Sequence, residues 1–340
     1  MEEKKTSLKN IADHLGIGVS TVSMVLNGKA KEARISESLA RKIIETAEEL
    51  HYSPNLTARS LRKGETNTIG VIVADISNAF FVKIIRAIEN EAIKHGYRAF
   101  FCSSDESDEK TLEIIDRLIN QQVDGLIIAP TYKIKNRILE LKKSNFPFVL
   151  IDRFYPKIDT NYVIIDNFLT AYNAVSVLLE RGYKRVATFR YASNLFHMEQ
   201  RFKGYKAALK AHKIRFDSRW ENEIQFYNLN KEELKEKIRY NIEEVGVDAI
   251  FFPTNRTAIP SIQAIYELGY KIPEDIAVFC FDDSEFFEIM NPSITSIAQP
   301  VKEIGKRSVQ ILVEEIKNSE IKKIKTKLVL NTELKIRNSI

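Results

Sequence analysis

The N-terminal part of the chain begins with a helical pattern of apolar residues. Leu8, Ile11, Ala12 and Leu15 recur every three or four positions, which gives a first helix one apolar face. The residues at 16–18, Gly-Ile-Gly, then end that helix, because glycine adopts the backbone angles of a tight turn without strain. The pattern predicts a short helix, a sharp turn and a second helix.

The second helix is predicted to turn Val22, Val25 and Leu26 inward. A third helix follows over 35–52, with Ser36 as its N-cap. Two interpretations fit: a helix-turn-helix whose second helix enters the DNA major groove, or an ordinary helical hairpin in a small core. The side chains left facing outward from the second helix are Val19, Ser20, Thr21, Ser23 and Met24.

From residue 68 onward, strand-like runs alternate with helix-like runs. The first, TIGVIVA at 68–74, is almost continuously apolar, as in a strand covered on both faces. Further runs of this kind are RAFFCS, GLIIAP, YVIID, RVATFR, AIFFP and IAVFCFDD. Alternation of this kind predicts βαβ units in parallel sheets, and the number of strands favours two doubly wound lobes over one sheet.

Composition narrows the class of protein. The chain has 340 residues, 44% of them hydrophobic and 29% charged, which is typical of a globular protein with a sizeable core. The formal net charge is only +5, and residues 1–65 hold 11 Lys and Arg against 9 Asp and Glu. Charge alone therefore does not indicate DNA binding.

Several classes of site are absent from the sequence. It contains no Gly-rich phosphate loop, no H-E-x-x-H and no G-x-S-x-G, and its five histidines are scattered, so we expect no enzyme activity, cofactor or metal. The N-terminus has no apolar leader, and no apolar run is long enough to span a membrane. Cys102 and Cys280 lie in apolar runs and are interpreted as buried free thiols in a reducing cytoplasm.

Three motifs in a fixed order resemble the LacI-type (LacI/GalR) family of bacterial transcriptional regulators. They are TVSMVLNG, HYSPNLTARSL and, far downstream, FDDSEFFEIMNPSITSIAQP. The resemblance covers essentially the whole chain. It implies an N-terminal all-α helix-turn-helix head and an α/β periplasmic-binding-protein-like core of two doubly wound parallel-sheet lobes.

The resemblance also implies a division of the chain. Residues 1–52 are the helix-turn-helix DNA-binding domain, 53–66 are a hinge helix and linker, and 67–340 are a two-lobed effector-binding and dimerisation domain. Lobe 1 is expected to comprise about 67–165 and 297–324, and lobe 2 about 166–296 and 325–340. The lysine-rich C-terminal segment is interpreted as a solvated sheet edge.

DNA contacts are expected from the recognition helix and from the hinge. By resemblance, Val19, Ser20 and Met24 read base edges, a set without the bidentate Arg or Asn that reads guanine or adenine strongly. Thr21 and Ser23 suit phosphate or structural roles. The complete predicted DNA-binding set is Val19, Ser20, Thr21, Ser23, Met24, Asn27, Asn55, Ala58, Arg59, Leu61 and Arg62.

The hinge segment is too short to be a stable helix alone. We expect 55–62 to become helical on DNA, paired with its dimer mate. By resemblance, Leu61 is the wedge inserted into the minor groove, Ala58 permits close approach, and Arg59 and Arg62 contact the DNA. The alternative is a plain linker.

Effector contacts are expected in the cleft between the lobes, because ligands of open α/β sheets bind outside the carboxyl ends of the strands. By resemblance, Asp152, Arg201, Asn255 and Asp282 contact the effector, with an aromatic wall beside them. The complete predicted effector-binding set is Phe80, Phe81, Asp152, Arg153, Arg190, Arg201, Asn255, Arg256 and Asp282.

The charge of this cleft leaves two hypotheses. Arg256 stands where relatives usually carry aspartate, and with Arg153, Arg190 and Arg201 it suggests an anionic sugar such as a uronate or sugar phosphate. Alternatively, these arginines pair with carboxylates or point to solvent, and the effector is a neutral sugar.

The sequence thus predicts a sequence-specific transcriptional regulator, acting as a repressor, whose operator affinity a sugar-like effector controls. The alternative is a cytoplasmic sugar-binding protein without a DNA role. Expected partners are a near-palindromic double-stranded operator, the effector and a second copy, in a homodimer or higher oligomer, with no membrane; the expected location is the bacterial cytoplasm, at the nucleoid. Candidate dimer surfaces are the helix beginning at Phe80 and the run 115–119, although core burial explains each equally well.

Overall fold

The computed structural model of the chain describes residues 6–52, 65–191, 193–224, 230–317 and 324–340. It divides into two compact units, Met1–Thr66 and Asn67–Ile340. Each unit has a hydrophobic core of its own.

The described residues of the first unit form three helices, α1 (Leu8–Leu15), α2 (Val19–Leu26) and α3 (Glu37–Glu49). Ser7 and Asn10 form a capping box at the start of α1, which satisfies amide groups that a helix end leaves without partners. Gly16 ends α1 with φ of 65°, a left-handed conformation that glycine adopts without cost. The core of this unit is formed by Ile11, Ala12, Val22, Val25, Ile43 and Ala47.

The second unit alternates strands and helices. Its strands are β1 (Thr68–Val73), β2 (Arg98–Ser103), β3 (Gly125–Ile128), β4 (Phe148–Ile151), β5 (Tyr162–Ile165), β6 (Val186–Tyr191), β7 (Glu221–Ile224), β8 (Ala249–Phe252), β9 (Ala277–Phe281), β10 (Thr295–Ala298), β11 (Lys327–Leu330) and β12 (Glu333–Lys335). Its α-helices are α4 (Ala79–Lys94), α5 (Asp108–Asn120), α6 (Lys135–Lys143), α7 (Asn167–Glu180), α8 (Phe196–Ala211), α9 (Lys231–Glu243), α10 (Asn255–Glu267), α11 (Glu285–Ile289) and α12 (Val301–Lys317).

Two six-stranded sheets define two lobes. Lobe 1 has the strand order β11-β5-β4-β3-β1-β2, and lobe 2 has β12-β10-β9-β8-β6-β7. Among the strands that the structure describes, every pairing is parallel except that of β10 with β12. Both orders reverse beside the first strand of the lobe, the point where doubly wound sheets bind ligands, so the predicted architecture is confirmed.

The chain passes between the lobes after Ile165, after Ala298 and after Leu330. Two expected boundaries differ from this. We expected lobe 2 to end near 296, but β10 continues to Ala298 because Ile297 pairs with Phe281 of β9. We also expected all of 325–340 in lobe 2, but β11 pairs with β5 of lobe 1 and only β12 returns to lobe 2.

The two apolar runs considered as dimer surfaces are mainly core. In α4, Phe80, Phe81, Ile84 and Ile88 are buried in lobe 1, and in α5 Ile115 and Leu118 are buried as well. Of the large apolar side chains of α4, Val82 and Ile93 remain on the surface, 48% and 66% exposed. Core burial therefore explains most of both runs.

Candidate DNA-reading helix and interlobe cleft

The second helix of the small unit presents a surface of mixed polarity. Val22 and Val25 are buried against α1 and α3, which fixes the opposite face outward. Val19 and Met24 are 43% and 44% exposed, and Ser20 is exposed beside them. Exposed apolar side chains on so small a helix are available to contact thymine methyl groups.

The two ends of this helix differ in capping. Gly18 occupies the N-cap and provides no side-chain hydrogen bond, which leaves N–H groups of the first turn available to another acceptor. At the other end, the Asn27 side-chain amide donates to the Ser23 carbonyl oxygen at 2.7 Å and to Ser23 Oγ at 3.3 Å. Asn27 and Ser23 are therefore engaged with each other, while Thr21 is half-buried beside the N-terminal turn.

Five residues of the predicted DNA-binding set lie outside the described residues. They are Asn55, Ala58, Arg59, Leu61 and Arg62. Their roles remain predictions.

The body of the chain contains a cleft between the two lobes, at the carboxyl ends of their strands. Its empty space is about 420 Å³, including a mouth open to solvent. The side chains that line it are those of Asp75, Asn78, Phe80, Phe81, Glu106, Asp152, Arg153, Tyr191, His197, Arg201, Thr254, Arg256, Asp282 and Gln299.

Two aspartates enter the cleft directly after strands. Asp152 follows β4 with φ of 63°, and Asp282 follows β9 with φ of 73°. A left-handed backbone is uncommon outside glycine, and here it turns each carboxylate from the strand into the cleft. Burial raises the pKa of both carboxyl groups, and the nearby guanidinium groups oppose that rise.

Arg153 ties two carboxylates together inside lobe 1. Its Nη1 and Nη2 donate to the two carboxylate oxygens of Glu106 at 2.6 and 2.5 Å, and its Nε donates to Asp152 at 3.1 Å. Burial alone lowers the pKa of Arg153, but the two carboxylates raise it above its ordinary value. The guanidinium is 6% exposed, so it is held charged and rigid.

The Arg201 side chain is held in place by contacts within lobe 2. Its Nε donates to Asn167 at 2.8 Å, its Nη1 donates to the Pro253 carbonyl oxygen at 2.6 Å, and its guanidinium lies 3.5 Å from the ring centroid of Phe281. Asp282 is at the edge of ion-pair distance, 4.0 Å. Burial lowers the pKa of Arg201, and the aspartates of the cleft oppose that effect.

Two residues at the start of α10 reach across to lobe 1. Arg256 forms an ion pair with Asp75, and the Asn255 amide donates to Asn78 Oδ1 at 3.1 Å. Asn255 is buried and is not among the residues that line the cleft. Both residues therefore join the lobes directly.

The prediction for Arg190 is not supported by its position. The side chain pairs with Glu221 and Glu223 of the neighbouring strand and lies 4.8 Å from the ring centroid of Phe202, away from the cleft lining. Successive side chains of a strand point to opposite faces, so it is Tyr191, the next residue of β6, that reaches the cleft.

The predicted effector-binding set omits seven of the fourteen residues that line the cleft, namely Asp75, Asn78, Glu106, Tyr191, His197, Thr254 and Gln299. Within the described part of the chain, His197 Nδ1 and Gln299 Oε1 are buried and have no hydrogen-bond partner. Burial and the neighbouring charges of Arg153 and Arg201 lower the pKa of His197 well below 6.5, so its imidazole is neutral. The Gln299 amide is oriented by its Nε2, which donates to Asp282 at 2.6 Å.

The described residues contain no cluster of three or more His, Cys, Asp or Glu side chains that could hold a metal ion. Among the helices that the structure describes, none combines the length and apolar character required to traverse a bilayer.

Comparison with known proteins gives two matches along the chain. Residues 7–55 match the profile of bacterial regulatory proteins of the lacI family, and residues 175–340 match a periplasmic binding protein-like domain. A probable HTH-type transcriptional regulator, EndR of Paenibacillus polymyxa, is 30% identical over 319 residues, which are 93% of this chain and 92% of that protein. The transcriptional repressor PurR of Aliivibrio fischeri is 29% identical over 316 residues, 92% of this chain and 93% of that repressor.

A solved structure gives the same result. The LacI family transcriptional regulator of Enterococcus faecium, with bound ribose, is 28% identical, with a TM-score of 0.70. The comparison covers 80% of this chain and 98% of that one. These relatives are named as transcription regulators and not as enzymes. The chain belongs to the lacI family of bacterial regulatory proteins and is a DNA-binding transcriptional regulator.

Proposed function

We propose that this regulator is a repressor whose affinity for its operator is controlled by a neutral polyhydroxylated effector, of the sugar class, bound in the interlobe cleft. The observation that supports the proposal is a pair of buried polar atoms without hydrogen-bond partners, Gln299 Oε1 and His197 Nδ1. Leaving such atoms unsatisfied costs about 1–3 kcal/mol each, which a bound ligand that hydrogen-bonds to them recovers.

Hydroxyl groups suit this cleft because each one both donates and accepts. A neutral imidazole offers one acceptor and one donor, carboxylates only accept, and guanidinium groups only donate. A ring bearing several hydroxyls can satisfy all three kinds of group at once. The Phe80 and Phe81 rings, whose centroids are 4.9 Å apart, provide an apolar wall for the carbon face of such a ring.

The charge balance disfavours the anionic alternative. Each arginine of the cleft already lies beside at least one carboxylate. Arg153 forms ion pairs with Glu106 and Asp152, and Arg256 forms one with Asp75. Arg201 lies 4.0 Å from Asp282. Four carboxylates against three guanidinium groups leave no excess positive charge for a carboxylate or phosphate ligand. The fourth arginine of the anionic hypothesis, Arg190, lies elsewhere.

The DNA contacts are assigned in the same proposal. Val19, Ser20 and Met24 read base edges, and Thr21, Ser23 and Asn27 support the helix or contact phosphate, since Ser23 and Asn27 are hydrogen-bonded to each other. The hinge residues of the predicted set complete the operator contacts.

We assign the homodimer contact to an apolar surface of lobe 2. The exposed side chains Ile259 and Tyr266 of α10 and Phe286 and Ile289 of α11 are 50%, 38%, 69% and 78% exposed. Tyr266 Oη donates to the Asn291 carbonyl oxygen at 3.4 Å, which joins α10 to the segment that follows α11. Light scattering of Phe286→Asp is expected to show a monomer, whereas Tyr240→Asp, at an exposed aromatic residue of α9, is expected to keep the dimer.

Calorimetry with the full chain tests the effector. The panel contains neutral pentoses and hexoses, a uronate, a sugar phosphate and a purine base. We expect one neutral sugar to bind, and its affinity to fall at least tenfold in both His197→Phe and Gln299→Leu, because each variant removes one buried hydrogen-bonding group. Tight binding of only the uronate, the phosphate or the purine would refute the neutral-sugar proposal.

A further inference from the structure

Two polar contacts bridge the lobes beside the cleft mouth. One is the ion pair of Asp75 with Arg256, whose side chains are 16% and 33% exposed. The other is reciprocal: Asn255 Nδ2 donates to Asn78 Oδ1 at 3.1 Å, and Asn78 Nδ2 donates to Asn255 Oδ1 at 3.4 Å. We call these four residues the interlobe latch.

Local hydrogen bonds within lobe 1 hold two of the latch side chains in place. Asp75 accepts from the Ser77 N–H at 2.8 Å and from Ser77 Oγ at 2.6 Å. Asn78 is the N-cap of α4 and accepts from the Phe80 N–H at 3.0 Å. Because these side chains are already ordered, joining the lobes through them loses little rotamer entropy.

Lobe 2 holds its half of the latch in a similar way. Asn255 is 5% exposed at the first position of α10, and the Arg256 N–H donates to Thr254 Oγ1, the N-cap, at 3.3 Å. The Asn255 and Arg256 side chains therefore extend from the capped N-terminus of a helix, whose backbone is ordered.

We propose that the interlobe latch holds the cleft closed before any effector binds. A protein that is already largely closed needs less of the effector's binding energy to complete closure, so the latch sets the basal state from which regulation starts. The latch acts in the ligand-free protein. Its role therefore does not depend on which molecule the cleft binds.

A third contact between the lobes, the ion pair of Lys83 with Glu285, allows closure of the cleft to be measured. Lys83 Nζ of α4 lies 3.1 Å from Glu285 Oε1 of α11, and both side chains are solvent-exposed. The double variant Lys83→Cys/Glu285→Cys places two thiols across the mouth without altering the latch. Its rate of intramolecular cross-linking by a short bismaleimide, followed by peptide mapping, reports the closed fraction of the full chain without ligand.

Latch variants are made in this reporter background. Arg256→Gln and Asp75→Asn are each expected to lower the closing equilibrium constant by about threefold, within the range for partly exposed ion pairs. Because the parent protein is largely closed, cross-linking should slow measurably but by less than that factor. The variant carrying both changes should be no slower than the slower single variant, because both remove the same contact. Arg190→Gln, which breaks an ion pair within lobe 2, is the matched control and should not alter the rate. Equal rates in all variants, or effects that multiply in the double variant, would overturn the latch.

Discussion

Arg153 neutralises two buried carboxylates, and replacing it with methionine tests the charge balance of the cleft. Arg153→Met keeps an apolar stem of similar length but removes three hydrogen bonds, two to Glu106 and one to Asp152. The side chains of Glu106 and Asp152 are 14% and 5% exposed, so little water is available to replace the guanidinium. The variant therefore leaves two facing carboxylates without their shared cation.

The size of the effect follows from the burial of this pair. Removing one partner of a buried ion pair costs about 3–5 kcal/mol of unfolding free energy. The protein can limit the loss by protonating Asp152, whose ordinary pKa is 3.8. At pH 7 that protonation costs about 4 kcal/mol, because each pH unit corresponds to about 1.4 kcal/mol. The expected loss at pH 7 is therefore about 3–4 kcal/mol.

The pH dependence has a defined sign. In the variant, the folded protein binds a proton at Asp152 that the unfolded chain does not hold above pH 4, so stability rises as the pH falls. The deficit relative to the unsubstituted protein should shrink by up to about 1.4 kcal/mol per pH unit between pH 8 and pH 5.

Urea denaturation followed by circular dichroism at pH 5, 6, 7 and 8 measures this deficit. The control is Arg190→Met, whose partners Glu221 and Glu223 are 24% and 52% exposed. That variant should lose less than about 1 kcal/mol at every pH. A deficit in Arg153→Met that does not change with pH, or one no larger than the control, would refute the charge-balance reasoning.

Three further predictions concern packing, buried charge and thiol access. Gly204→Ala should lower the unfolding free energy by about 1–3 kcal/mol, because its Cβ would lie 2.2 Å from the Phe168 carbonyl oxygen. This loss is expected although alanine favours helices. Chemical denaturation measures it, and a gain in stability would contradict this packing. Asp152→Asn should stabilise the ligand-free protein more at pH 8 than at pH 5, because burial raises the pKa of Asp152 and the ionised form costs stability; a lower thermal midpoint at pH 8 would be inconsistent with that cause. Cys280 is fully buried and its pKa is raised well above 9.0, so a maleimide should modify the half-buried Cys102 first in the native protein, and equal rates for the two thiols would argue against the described core.

Much of the cleft could be predicted because its residues follow strands. Asp152 and Asp282 come directly after apolar runs, and the carboxyl ends of parallel strands meet at one edge of each sheet. Arg201 was placed by resemblance and Arg256 by its position after the run AIFFP, and both line the cleft. The alternation of strands and helices was sufficient to predict two doubly wound lobes.

The missed residues depend on information that spacing does not carry. Glu106 reaches Arg153 across 47 positions of sequence because the loop after β2 folds over the end of β1, where the Glu106 N–H donates to the Ala74 carbonyl oxygen at 3.3 Å. His197 lies in the first turn of α8, where no periodic pattern distinguishes a cleft residue from a core residue. Arg190 was misplaced by a single position, since one step along a strand moves a side chain to the other face.

The exchange of β11 and β12 between the lobes was hidden for a related reason. Both are short strands separated by two residues, and nothing in their composition indicates which sheet each one joins. Pairing is decided by the free edges that the two sheets offer, β5 in lobe 1 and β10 in lobe 2. The residues of β11 and β12 do not show which sheet edge each strand will pair with.

The central claim is that a small molecule in the cleft controls the grip of the helix-turn-helix units on DNA. The most direct test is to select genomic fragments with the full chain and measure its affinity for them by fluorescence anisotropy, with and without the sugar that calorimetry identifies. We predict a near-palindromic site whose affinity changes by about 5- to 150-fold when that sugar is added. Failure to enrich any fragment, or an affinity that the bound sugar leaves unchanged, would contradict the account.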